Sequence, residues 1–267
     1  MSAQARAKVQ QSLGVFGSEG GVSSSETIVK APELRSDIIA TIVIPAFNEE
    51  AGLPVVLDNL FRSVDGQCEV LVIDDGSSDA TSSIASRFRC GVIRHGRNRG
   101  KGEAMKTGIR HARGESVIFI DADATYPTDA VPLMIQALES CDAVYCSRAS
   151  GRDNIPRFNR LGNAVFQGIM RHIYRFDPCD YATGLYGMKK RHLQEMRISS
   201  SGFAIEPEIA IKACRMKLMI RDIPIQYHQR IGQPKLSGFN AGLDHLRTMV
   251  KLLLWRPRPF GGVSASE

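Results

Sequence analysis

Residues 38–45 read IIATIVIP, and 45–50 read PAFNEE. An unbroken β-branched run of this kind suits a strand covered on both faces, because a half-exposed strand would alternate apolar and polar residues. The run stops at a proline followed by a loop with two acids. Working outward, the same grammar returns twice. EVLVID (69–74) runs into DDGSSD (74–79), and SVIFID (116–121) runs into DADATYP (121–127). Between the runs lie helical periods. Leu53, Val56, Leu57 and Leu60 form one stripe within 50–63, and helices are predicted at 78–89, 101–112 and 128–139. GVIRH (91–95) and DAVYCSR (142–148) supply two further strands. Strands alternating with helices imply right-handed βαβ units, hence an α/β fold with a mostly parallel sheet flanked by helices.

Beyond residue 150 the order loosens. Helices are predicted at 159–175, 205–216 and 240–255, and strands at 183–190 and 218–228. Residues 1–37, rich in Ser, Gly, Gln and Ala, read as a disordered leader, 38–255 as a single folded domain and 256–267 as a tail.

The whole chain has 267 residues, 43% hydrophobic and 23% charged, a globular mix that needs no disulfide or metal staple. Six scattered cysteines without a Cys-x-x-Cys pair point to free thiols in a reducing, cytoplasmic compartment. No apolar run approaches the ~18 residues of a spanning helix. Net charge is +6, with basic residues gathered at 87–101 and 148–160. Aromatic residues make up only 7%, and no helix-turn-helix or zinc finger accompanies the basic clusters, so a small anion suits them better than nucleic acid.

Open parallel sheets bind ligands at the carboxyl ends of their strands. Here three such ends carry acids on one edge, which calls for a divalent cation or positive ligand groups. Asp121 and Asp123, flanking a small alanine, suit Mg²⁺, which takes one or two carboxylates and fills its other sites with water and phosphate oxygens. Phosphate-loop alternatives fail. GRNRGKG (96–102) lacks the P-loop spacing and its Ser/Thr, and PAFNEE has no glycine for a dinucleotide fingerprint.

PAFNEE, DDGSSD, NRGKGEA (98–104) and DADATYP, in this order, resemble the inverting glycosyltransferases of family 2. The branch most similar is that of dolichyl-phosphate mannose synthases and polyprenyl-phosphate hexosyltransferases. RLGN (160–163), DYATGLYG (180–187), GFAIEPEI (202–209) and RIGQPKL (230–236) agree. The resemblance implies a glycosyltransferase-A fold, a GDP- or UDP-linked sugar donor and Mg²⁺ or Mn²⁺. It implies that Pro45, Glu49 and Asp75 contact the nucleoside, with Asp74 supporting the turn. Lys101 borders the nucleotide, Asp121 faces ribose or metal, and Asp123 is the principal metal ligand. Arg148 and Arg160 match basic positions near an acceptor phosphate, and Arg230 and Lys235 a loop closing over the donor diphosphate. Thr125 stands where many relatives carry a glutamine, and Pro234 where many carry serine. A Gln-x-x-Arg-Trp motif, the mark of processive synthases, is absent.

Breaking an anomeric C–O bond to a nucleoside diphosphate builds charge on the leaving group, which a metal at Asp123 and cations at 230 and 235 would offset. A polyprenyl monophosphate, its second pKa about 6, attacks as a dianion and needs positioning more than deprotonation. A hydroxyl acceptor would need a base, for which Asp180, Glu206 and Glu208 are the candidates. Three readings stand: transfer to a polyprenyl phosphate, transfer to a small hydroxyl-bearing acceptor, and a non-catalytic nucleotide-sugar-binding protein. The amphipathic stretch 240–255, ending at Trp255 and flanked by Arg247, Lys251, Arg256 and Arg258, predicts either packing on the domain or peripheral contact with the cytoplasmic membrane face.

Overall fold

The computed structural model describes residues 26–31, 37–155, 157–233 and 238–257. Eight strands form one sheet: β1 (Glu26–Lys30), β2 (Ala40–Ala46), β3 (Cys68–Asp74), β4 (Gly91–His95), β5 (Ser116–Phe119), β6 (Ala143–Ser150), β7 (Tyr186–Lys189) and β8 (Ile220–Gln226). Their order is β1-β4-β3-β2-β5-β7-β6-β8. Strands β4, β3, β2 and β5 run parallel, as do β6 and β8. The sheet is mixed because β7 inserts antiparallel between β5 and β6, and β1 pairs antiparallel with β4. The architecture is the α/β, largely parallel sheet flanked by helices that the sequence implies.

Side-chain alternation explains the unbroken apolar runs. Ile42, Ile44, Val70, Val72 and Ile118 pack on one face beneath α1 (Leu53–Ser63) and α4 (Ala130–Leu138). Their neighbours Val43, Leu71, Ile73, Val117 and Phe119 pack on the other, with α3 (Lys101–His111), α5 (Arg157–Tyr174) and α7 (Ile205–Arg215). Both faces are covered, so neither register can be polar. At the edge, β8 tolerates Pro224 because only β6 pairs with it.

Several boundaries differ from the sequence reading. The helix expected over 78–89 is only α2 (Thr81–Ala85), because Asp79 Oδ1 accepts the Thr81 amide in a local turn that delays the start. The strand expected over 183–190 is only β7, and a short helix, α6 (Lys190–Glu195), begins at its last expected residue. The final helix, α8, spans Gly238–Lys251. Residues 26–30, assigned to the disordered leader, form the edge strand β1. Thr27, Ile28 and Val29 supply β-propensity, and Glu26 is buried among cations. Residues 1–25 and 258–267 lie outside the described residues, as do Lys235 and Arg258. Six cysteines are free, and burial pushes the Cys90 and Cys146 thiols up to about 12, marking them as inert core residues. Among the described residues no helix is long and apolar enough to cross a membrane.

Candidate active site

At the carboxyl ends of β2, β3 and β5 lies a cleft of about 750 Å³. Its floor is built by stitching one strand-end loop to the next. Asn48, at φ +51°, donates its amide to Ser77 Oγ and accepts the Ser78 amide on Oδ1, while the Glu49 amide donates to Thr81 Oγ1 at 2.8 Å. The loop after β5 turns through Ala124 at φ +61°, a left-handed conformation that a residue with a Cβ seldom adopts. Thr125 holds that turn by donating both its amide (3.1 Å) and its hydroxyl (2.6 Å) to Asp123 Oδ1.

The acids meet different partners. Asp74 is fully buried and accepts the Ser77 amide at 2.8 Å, with Arg94 Nε 3.4 Å from its other oxygen. Asp75 accepts the Arg99 and Gly100 amides at 2.9 and 2.8 Å, and its Oδ1 lies 2.6 Å from His95 Nδ1. Gly100 holds φ +96° there, and any Cβ would sit 2.5 Å from the Ser201 carbonyl oxygen.

Across the cleft, Asp121 Oδ1 and Glu206 Oε1 each lie 2.7 Å from Lys101 Nζ, the first residue of α3. Burial opposes the ammonium charge, but the two carboxylates outweigh it and hold the Lys101 pKa above its ordinary value. Burial, with the neighbouring Asp123 charge, raises the Asp121 pKa against the pull of Lys101. Arg230 joins Asp123 Oδ2 to Glu49 Oε1, both at 2.6 Å. Its loop is fixed by the Ile231 amide donating to the Asp123 carbonyl and the His228 amide to Thr125. Gly184 closes the wall so tightly that a Cβ would stand 2.1 Å from Asp121 Oδ2.

On the far side, Arg148 grips Asp180 through two nitrogens, donates to the Ala182 carbonyl at 3.2 Å and lies over the Tyr227 ring at 5.4 Å. The structure thus brings Pro45, Glu49, Asp75, Lys101, Asp121, Asp123, Arg148 and Arg230 to one cleft. Asp74 sits behind it, and Asp180 is tied up by Arg148. Arg160 is not among the lining residues. It pairs with Asp153, 98% exposed, two residues before Gly162, which does line the cleft. Glu208 leaves the site too, accepting the Ser199 and Ser200 amides and Lys212, which set its pKa at about 2 despite burial.

Sequence reasoning missed His245, Tyr126 and Phe203 as cleft residues. His245 Nε2 donates to the Phe203 carbonyl and its Nδ1 lies against Tyr181 Oη, both at 3.1 Å, and burial lowers its pKa. His245 lies on α8, which reaches the cleft by packing against α5 and α7, and no spacing announces it.

A parallel-centred sheet with charged groups gathered in a cleft at its strand ends is the build of a ligand-binding α/β enzyme. The sequence profile of glycosyl transferase family 2 matches residues 41–222, and the chain belongs to that family. It is 28% identical over 215 residues to a dolichyl-phosphate hexose transferase of Haloferax volcanii, covering 80% of this chain and 93% of that one. A dolichol-phosphate mannosyltransferase of Pyrococcus furiosus is 26% identical over 227 residues, covering 80% and 64%. Among solved structures, glucosyl-3-phosphoglycerate synthase from Mycobacterium tuberculosis, in complex with Mn²⁺, UDP and glucosyl-3-phosphoglycerate, superimposes with a TM-score of 0.65. Its identity is 22%, over 80% of this chain and 79% of that one. This protein is a glycosyltransferase.

Proposed function

We propose that the protein transfers a hexose from a nucleoside-diphosphate sugar to a polyprenyl phosphate, with inversion at the anomeric carbon. The observation that carries the acceptor class is the pairing of the cleft carboxylates. Glu49 and Asp123 meet Arg230, Asp121 and Glu206 meet Lys101, and Asp180 meets Arg148, while Asp75 is taken up by the Arg99 and Gly100 amides. A carboxylate held by a cation is a poor base, so the site suits a nucleophile that arrives ionised, as a phosphate monoester does at pH 7.

Oxygen donors fit a hard divalent ion. Asp123 Oδ2 and Glu49 Oε1 already converge on one cation, Arg230, at 2.6 Å each. Asp123 and Asp121 are the residues that would hold Mg²⁺ or Mn²⁺. Such an ion supplies charge for the departing diphosphate. Pro45, Glu49 and Asp75 bind the nucleoside in this reading. Lys101 orients the donor at the start of α3, and Asp74 keeps the turn. Arg230, released from Asp123, turns its charge to the diphosphate together with Lys235. Arg148, locked by Asp180, shapes the acceptor side, and Arg160 meets the acceptor phosphate at the mouth.

The mouth itself supports a lipid. Gly162, Asn163 and Phe166 of α5 and Gly242 and His245 of α8 line the cleft. The same helices expose Leu161, Val165 and Ile173, and Leu246 and Val250, beside Arg247 and Lys251. An apolar face edged by cations suits the headgroup layer of an anionic membrane, where the protein would sit peripherally on the cytoplasmic side. The test incubates purified protein with GDP- and UDP-hexoses, Mg²⁺ or Mn²⁺, and either a short polyprenyl phosphate or 3-phosphoglycerate. A lipid-linked β-hexosyl phosphate from an α-linked donor is expected. Transfer to 3-phosphoglycerate alone would overturn the acceptor.

A further inference from the structure

A closed ring of polar contacts ties the edge strand β1 to the strand end bearing Asp75. Register places Glu26 opposite His95 across the β1–β4 pair. The Glu26 carboxylate is buried, and its Oε1 accepts from Arg99 Nη1 at 3.2 Å, Arg110 Nη2 at 2.5 Å and Thr107 Oγ1 at 3.3 Å. Its Oε2 lies 3.6 Å from His111 Nε2. Thr107 Oγ1 is 3.0 Å from His95 Nε2, and His95 Nδ1 is 2.6 Å from Asp75 Oδ1. That same oxygen accepts the Arg99 amide at 2.9 Å, so the ring returns through Arg99 to Glu26.

One carboxylate faces two guanidinium groups and an imidazole; without it Arg110 would lose its carboxylate partner, and Arg99 would keep Glu103, 3.4 Å from its Nη2. Moreover, Arg99 bridges two sides at once: its side chain meets Glu26 and Glu103, and its backbone amide holds the acid that walls the cleft. The next amide, Gly100, holds the other Asp75 oxygen at 2.8 Å, and Lys101 follows directly. Whatever shifts Arg99 shifts both the cleft acid and the cation at the start of α3.

We propose that Glu26 is a positioning residue for the donor. It lies outside the 41–222 span matched by the family profile, yet it fixes the Arg99–Gly100 amides and, through Thr107 and His95, the orientation of Asp75. This rests on the reading that the Asp75 end receives the nucleoside. A plain brace would act on stability alone. A positioning residue acts on nucleotide affinity in molecules that remain folded.

The experiment uses the full chain, with Glu26→Gln and, as a second variant, Thr107→Val, which removes the ring's hydroxyl at nearly constant volume. UDP and GDP binding are measured by calorimetry, donor and acceptor kinetics by turnover, and backbone amide exchange without nucleotide. Expected is a rise on the order of tenfold in nucleotide Kd and donor KM, the scale of one lost charge-assisted hydrogen bond, with kcat and acceptor KM little changed. Glu26→Asp should recover part of the affinity, and exchange at the Arg99 and Gly100 amides should quicken in Glu26→Gln. Wild-type nucleotide affinity in either folded variant, or unchanged exchange at those two amides, would overturn the proposal. Wild-type protein that binds neither UDP nor GDP would instead overturn the functional reading, which the exchange measurement does not depend on.

Discussion

Two strand ends of this molecule carry adjacent or near-adjacent aspartates, 74–75 after β3 and 121–123 after β5, and they are built differently. At the first, the carboxylates take the amides of Ser77, Arg99 and Gly100, donors that belong to the backbone and cannot withdraw. At the second, Asp121 and the outer oxygen of Asp123 face the tips of Lys101 and Arg230, long side chains with freedom to swing away. The difference separates acids that hold shape from acids whose counter-ions can be exchanged for a ligand. Helix α7 repeats the contrast within one turn. Glu208 takes the Ser199 and Ser200 amides as well as Lys212, whereas Glu206 takes Lys101.

The sharpest way to break the comparison is at Asp123. Asp123→Asn should cost on the order of 10²–10³ in turnover while the protein stays folded. Near-normal turnover in excess Mg²⁺ would erase the distinction.

Glu208 gives the next largest effect, and it is one of stability. Its folded pKa of about 2 lies below the ordinary value of 4.5, so its contribution is complete above roughly pH 5. It is lost as pH falls through about 4.5 towards 2. The full amount is about 3 kcal/mol, and Glu208→Gln should flatten that part of an acid-unfolding curve monitored by circular dichroism. A variant with an unaltered acid limb would place the acid sensitivity elsewhere.

Asp74→Asn should lower stability by about 2 kcal/mol, because the buried turn amide loses a charged acceptor. Specific activity of the folded enzyme should hold within a fewfold, the reverse of the Asp123 result. Thermal melts and turnover on the same samples decide this. The smallest effect is expected at Gly184→Ala, whose Cβ would displace the Asp121 carboxylate from 2.1 Å. About a tenfold loss of activity, some 1.4 kcal/mol, should come with a modest change in melting temperature. Full activity would mean that Asp121 tolerates displacement.

The central strands were legible because a strand buried on both faces has one composition, and IIATIVIP, EVLVID and SVIF all show it. The strand ends were legible for the same reason, since polar residues can resume only where the sheet stops. Less could be read where partners come from afar. Arg148 and Asp180 stand 32 positions apart, and nothing local says that they neutralise each other. Glu206 and Glu208 share one helix turn and differ only in what the fold brings against them. Strand β1 escaped notice because five residues bounded by Glu26 and Lys30 look solvated until the arginines of α3 and its preceding loop surround the carboxylate.

The most direct test is a Mn²⁺ titration followed by electron paramagnetic resonance, with UDP or GDP present, on wild type, Asp123→Asn and Asp74→Asn. The account predicts that wild type and Asp74→Asn bind the ion and that Asp123→Asn loses it. Wild-type Mn²⁺ binding by Asp123→Asn, or loss of binding by a folded Asp74→Asn alone, would contradict it.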